Sequence, residues 1–253
     1  MRLSMIFAAT VALILGVSGC TARGTPGSGE TDKGETDKPV SFKGSHNLVW
    51  TQGKHYRLIA NATPRVPATP RAQDGSKVEI LEFFEYGCGH CYVMEPWIVA
   101  WEKTKPDFIR FTRVHVTYKP DYIPHAQLFY TLKELGRVNV TDAMDVHHEV
   151  FDTIHRTGQM LLVYGDPGKS EALQESFAAR FGISAETFEA TYRSSQVSED
   201  LREAREAADT YRIQATPTFV VGRRYFTDAG SAGGGEHLVV LLTDLARRVQ
   251  SGQ

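Results

Sequence analysis

Cys88-Gly89-His90-Cys91 follows directly on the apolar run Val78-Glu-Ile-Leu-Glu-Phe-Phe-Glu-Tyr86 and leads into a stretch of helical spacing. Two thiols three positions apart at a strand-to-helix junction form a redox dithiol. The first occupies the opening turn of the helix, where unpaired backbone N–H groups and the positive end of the macrodipole favour an anion, so this thiol should ionise easily. An easily formed thiolate attacks disulfides and also leaves well. The second cysteine, on the same helical turn, can resolve a mixed disulfide formed by the first. This is the chemistry of disulfide exchange.

Such a dithiol needs a strand and a helix to hold it. Val78 to Tyr86 reads as a buried strand. Beyond Cys91, Met94, Trp97, Ile98 and Trp101 recur at helical spacing, so both tryptophans are expected in the core, and Pro96 is expected to kink the helix. Phe108 to Tyr118 alternates at period two and reads as the next strand, reached by a parallel crossover. Ahead of this unit, Leu48–Trp50 and Tyr56–Ile59 suggest short edge strands, followed by a Pro-rich loop over 63–70. From about Pro124 to Ala208 the periodicity is helical, which predicts an inserted subdomain. Ser198–Tyr211 then reads as a helix, Pro217–Val221 with Arg224–Phe226 as a hairpin, and Glu236–Val249 as a closing helix. Pro217 opens its strand, a place where an X-Pro bond can be cis and a backbone edge can stay free for a partner.

The chain has 253 residues, a formal net charge of -2 and 42% hydrophobic residues, which suits one globular domain and offers no basic excess for nucleic acid. Only Cys20, Cys88 and Cys91 are cysteines, too few for a disulfide-stapled mini-protein or a four-cysteine zinc site. Residues 1–19 read as a signal peptide whose apolar segment is too short for a comfortable membrane span. Its end, Leu15-Gly-Val-Ser-Gly-Cys20, resembles the bacterial lipobox, so acylation of Cys20 is expected, and with it a location outside the cytoplasm where disulfides persist. Residues 20–44, with the tandem Gly29–Lys33 and Gly34–Lys38, form a flexible tether spanning about 25 Å. The divisions that follow are 45–123, the first part of the catalytic domain; 124–200, the helical insertion; and 201–253, the second part.

Together, Leu81-Glu-Phe-Phe84, Cys88-Gly-His-Cys91 and Ala215-Thr-Pro-Thr-Phe219 resemble the DsbA-like thiol:disulfide oxidoreductases of the thioredoxin superfamily, a resemblance covering roughly residues 76 to 250. It implies an α/β, thioredoxin-like fold with an inserted helical subdomain. It also implies Cys88 as the solvent-facing nucleophile, Cys91 as the buried resolving thiol, and His90 as a stabiliser of the Cys88 thiolate through charge or a hydrogen bond. Glu82 matches the buried acid that relays the Cys91 proton, Glu95 and Arg113 the accompanying charge pair, and Thr216 and Pro217 the loop that receives an extended substrate. The implied partners are reduced or unfolded secreted proteins, a membrane reoxidase of the DsbB kind, and the membrane itself through the lipid anchor; no cofactor is implied and a monomer is expected. The chain departs from the commonest family pattern in Gly89, where proline is usual, and in the threonine before Pro217.

Three rival readings compete. A reductase or isomerase of the same fold differs only in redox poise. A copper or zinc protein could use the two thiolates with His90, and His147, His148 and His155 form a separate cluster, but His148-Glu-Val-Phe-Asp152 is not a zinc-protease motif and the cluster reads as solvated or core-edge histidines. Gly165-Asp-Pro-Gly-Lys-Ser170 has two residues between its glycines where a phosphate-binding loop needs four, so it reads as a turn. Glu85 reads as an exposed charge near the cleft. Thr21 after Cys20 favours the outer over the inner membrane by the usual sorting rule.

Overall fold

A computed structural model of the chain describes residues 41–59, 77–136 and 146–253. The signal peptide, Cys20, most of the tether and the Pro-rich loop lie outside the described residues.

Strand β4 (Val78–Phe84) is an interior strand of a five-stranded sheet, second from one edge, and its residues are largely apolar on both faces. It pairs in parallel with β5 (Ile109–His115) and antiparallel with β6 (Thr218–Val221). Beyond β6 lie β7 (Tyr225–Thr227) and the two-residue edge strand β3 (Arg57–Leu58), giving the order β3-β7-β6-β4-β5. The parallel step is the strand-helix-strand unit expected from the sequence, with helix α1 (Gly89–Thr104) as its crossover. Pro96 lies inside α1.

Two apolar layers flank the sheet. On one side Val78 and Ile80 pack with Met94, Ile98 and Trp101 of α1 and with Leu238, Leu241, Leu242 and Leu245 of α8 (Gly235–Gln250). Alternation along β4 puts Glu82 on that same face. On the other side Leu81 and Phe83 join a larger core built from the helices of the insertion. These are α2 (Ile123–Glu134), α3 (Val146–His155), α4 (Pro167–Ala179), α5 (Ala185–Tyr192) and α6 (Ser195–Thr210). Asp166, Ser184 and Ser194 begin the last three by accepting a hydrogen bond from the backbone N–H three residues on. The Gly165–Ser170 segment is therefore the start of α4, and Ser170 is buried. Helix α6 crosses residue 200, so the insertion and the second part of the catalytic domain share one helix.

One expectation about the core fails. Trp97 is 45% exposed, whereas Trp101 is buried. The apolar face of α1 is narrower than the spacing implied, and Trp97 instead covers Gly235, where an added Cβ would lie 2.4 Å from its ring.

Ahead of the sheet, β1 (Ser41–Lys43) and β2 (Val49–Thr51) form a separate hairpin. It is fastened to α8 by Asp244, whose carboxylate accepts from the Ser45 backbone at 2.7 Å, the Ser45 hydroxyl at 2.6 Å and the Trp50 indole at 2.8 Å. The short α7 (Ala229–Ala232) leads into α8.

Candidate active site

Strand β4 delivers the dithiol to the start of α1. Cys88 is the N-cap residue, in extended conformation, and Cys91 falls in the first helical turn. Cys88 is half-buried and Cys91 only 2% exposed, so one sulfur faces outward and the other faces the core. Both thiols are free.

The surroundings push the two thiols in opposite directions. Cys88 is held down to about 5, chiefly by a hydrogen bond from the Cys91 thiol, which outweighs the opposing effect of burial, with further support from Thr216 and the backbone N–H groups of Cys91 and His90. Thr216 acts on the lowering side, and its carbonyl lies 3.3 Å from Cys88 Sγ. Cys91 is pushed far upward, first by burial, then by its hydrogen bond to Cys88 and the negative charges of Cys88 and Glu82. One sulfur is thus held as an anion and the other as a thiol. His90 reaches the sulfur through its backbone N–H, while the residue as a whole is exposed.

The Thr216–Pro217 bond is cis, and Thr216 lies against Cys88 as expected. Gly87, just before the dithiol, is required by space: a Cβ there would lie 2.8 Å from the Tyr122 ring and 2.9 Å from the Glu85 carboxylate.

Beneath the dithiol lies a buried charge cluster. Glu82 is directly opposite Arg113 in the β4–β5 register, with Arg113 Nε 3.5 Å from Glu82 Oε2. The same guanidinium reaches Glu95 at 3.2 Å and Glu102 at 2.8 Å. Glu82 and Glu95 are each 2% exposed. Burial raises Glu82, and Arg113 only partly offsets it. Glu95 is buried to the same degree, yet Arg113 and then His147 overcome burial and hold it below the usual carboxylate range. Glu82 is therefore the member able to carry a proton, and Cys91 feels its charge.

Two readings from sequence are corrected here. Glu85 is buried rather than exposed: its carboxylate accepts from the Gly87 N–H at 2.6 Å and lies 3.2 Å from His125 Nδ1. His147 is buried, not solvated, with Nδ1 2.8 Å from the Tyr86 hydroxyl and Nε2 3.4 Å from Glu95. The spacing of His147 with Val150, Phe151 and Ile154 could have found it, because these share one helical face. Among the described residues no group of three His, Cys, Asp or Glu is arranged to hold a metal ion.

Comparison with known proteins agrees with this geometry. The family model described as the DSBA-like thioredoxin domain matches residues 79–234. The chain belongs to that family. The thiol:disulfide interchange protein DsbA of Azotobacter vinelandii is 36% identical over 184 residues, covering 73% of this chain and 80% of that protein. Its counterpart in Pseudomonas aeruginosa is 32% identical over 192 residues, covering 76% and 82%. The crystal structure of Pseudomonas aeruginosa DsbA superposes with a TM-score of 0.68 at 30% identity, over 80% of this chain and 96% of that one. The oxidoreductase DsbA from Xylella fastidiosa gives 0.63 at 25% identity, over 78% and 96%. As a DsbA-like protein the chain is a thiol:disulfide oxidoreductase. Its fold is the α/β, thioredoxin-like one with a helical insertion.

The low Cys88 value sets a pH dependence for the reduced protein. Its thiol is depressed from an ordinary 9.0 to about 5, so the contribution to folded-state stability is complete above 9.0 and is lost as pH falls through about 5. Denaturant unfolding of the reduced form should show this loss, and alkylation of Cys88 should be half-maximal near pH 5. A midpoint near 9 would refute it.

Proposed function

We propose that this protein introduces disulfides into reduced, exported proteins outside the cytoplasm, with Cys88 as the sulfur that substrates attack. The observation that carries this is the opposed pair: an outward, readily ionised Cys88 against Thr216, and a buried Cys91 that holds its proton. A substrate thiolate attacks Cys88 Sγ of the Cys88–Cys91 disulfide, the S–S bond breaks, and its electron pair stays on Cys91, which takes up a proton. Glu82, raised by burial, supplies that proton. A second substrate thiolate then attacks the substrate sulfur of the mixed disulfide and expels Cys88 as a stabilised thiolate. Two electrons have moved from substrate to enzyme, and the substrate is oxidised. Because the leaving thiolate is stable, the reduced enzyme is favoured, which makes a strong oxidant.

Thr216 and Pro217 form the surface that receives an extended substrate segment, pairing through backbone groups and so accepting many sequences. Glu95 and Arg113 hold Glu82 in place. A membrane reoxidase of the DsbB kind restores the disulfide. The protein acts as a monomer in the periplasm, held to the membrane by acylated Cys20, with the outer membrane favoured by Thr21.

The test is oxidation of reduced ribonuclease by the oxidised full chain. Recovery of ribonuclease activity with consumption of one Cys88–Cys91 disulfide per substrate disulfide is expected; no recovery overturns the reading. Equilibrium with glutathione separates oxidase from reductase, since an oxidase must be reduced by low concentrations of glutathione. For the anchor, Cys20→Ser should move the protein from the membrane to the soluble fraction; an unchanged distribution refutes lipidation at Cys20.

A further inference from the structure

Tyr86 stands two residues before Cys88, and all three of its polar groups meet imidazoles. Its backbone N–H donates to His115 Nε2 at 3.1 Å, its hydroxyl meets His147 Nδ1 at 2.8 Å, and its carbonyl accepts from His155 Nε2 at 2.7 Å. The second nitrogen of His115 fixes its tautomer: Nδ1 donates to the Val116 carbonyl at 2.9 Å, which leaves Nε2 bare to accept from Tyr86. The ring of Tyr86 is fully buried, and His115 is as well.

His147 and His155 both come from α3, in the helical insertion. That helix also holds the other flank of the dithiol. Tyr92, next after Cys91, stacks on His155 at 4.8 Å and donates to Asp152 at 3.1 Å. Between these flanks the turn closes through the Cys88 N–H, which donates to the Glu85 carbonyl at 3.0 Å. Three bonds to one residue over-determine its position. Where Tyr86 is placed, Gly87 and Cys88 must follow, and with them the distance from sulfur to Thr216 and to the helix amides.

We propose that Tyr86, His115, His147 and His155 are positioning residues that lock the turn ahead of the dithiol in the geometry from which Cys88 reacts, so that the insertion tunes the oxidant through α3. The inference rests on Cys88 being the attacked sulfur. Loosening the lock costs the thiolate part of its stabilisation and makes the enzyme a weaker oxidant.

The experiment measures, on the full chain, the pH profile of Cys88 alkylation and the equilibrium constant with glutathione for wild type, Tyr86→Phe and His155→Gln. Tyr86→Phe removes one oxygen and keeps the buried ring; His155→Gln changes a half-buried residue and serves if the first variant does not fold. Both variants should move the Cys88 midpoint upward and shift the glutathione equilibrium about threefold or more towards the enzyme disulfide, as expected for half a pH unit. Folded variants with an unchanged profile and equilibrium overturn the proposal, even if their melting temperature falls, and so does failure of both to fold, which would make the network part of the core alone. A wild-type Cys88 titrating like a free thiol would instead sink the reading of Cys88 itself.

Discussion

Cys88→Ser should abolish oxidation of reduced ribonuclease, and Cys91→Ser should convert the protein into a trap that retains substrate. The two outcomes differ because the two sulfurs do. A serine hydroxyl at 88 can form no mixed disulfide, so activity falls to background whatever else the site retains. With Cys91 replaced, the Cys88 thiolate still attacks a disulfide of an oxidised partner, the reverse of the oxidation, but Cys91 is no longer there to release that partner from the adduct. The expected readout is a covalent enzyme–substrate species on a non-reducing gel, cleared by added thiol. Substantial residual turnover in Cys88→Ser, or a trap formed by Cys88→Ser rather than by Cys91→Ser, would reverse the assignment of roles.

The second large effect concerns Arg113. Arg113→Met should destabilise the protein by about 3–5 kcal/mol at neutral pH, the range for removing one partner of a buried ion pair. Its guanidinium is the cation shared by Glu82, Glu95 and Glu102, and its side chain is 9% exposed. Without it the buried Glu95 carboxylate loses its chief counter-charge, while Glu82, already raised to about 8 by burial, is pushed further towards the protonated form. Linkage gives the sign of the pH dependence: Arg113 holds Glu95 low, so the stability it confers is present where the carboxylate is ionised and disappears as pH falls and the acid protonates. The gap between variant and wild type should therefore narrow on acidification. Adding Glu95→Gln should recover part of the loss, because the amide needs no cation. Denaturant melts across pH decide the matter; a deficit below about 1 kcal/mol, the scale of a surface pair, would mean that the cluster is solvated.

Much of this site was readable from sequence because local pattern and chemistry coincide. The Cys88–Cys91 spacing, the apolar strand before it and Pro217 at a strand opening are all short-range signals, and the structure places them together. Glu82 was legible only through the resemblance, which implies a buried acid at that position; the pattern of the strand alone leaves a solvent-facing acid open. Glu85 was not, since alternation ends at Phe84 and the carboxylate folds back onto the Gly87 N–H, a local turn that hydrophobicity does not encode. His147 and His148 are adjacent, and only the apolar positions of α3 separate them: His147 shares the face of Val150 and Ile154 and is buried, whereas the His148 side chain is 49% exposed. Trp97 was misplaced because helical spacing reports a face but not its width, which the packing of α8 against α1 determines.

The fastening of the β1–β2 hairpin to α8 bears on how such a domain tolerates mechanical load. A pull arriving along the chain at Ser41 is taken first by the hairpin and passed through Asp244 to a sixteen-residue helix, rather than to the strand that carries the cysteines. Load entering at Ser41 would therefore be shared with α8 through the Asp244 hydrogen bonds before it reached the turn that holds Cys88.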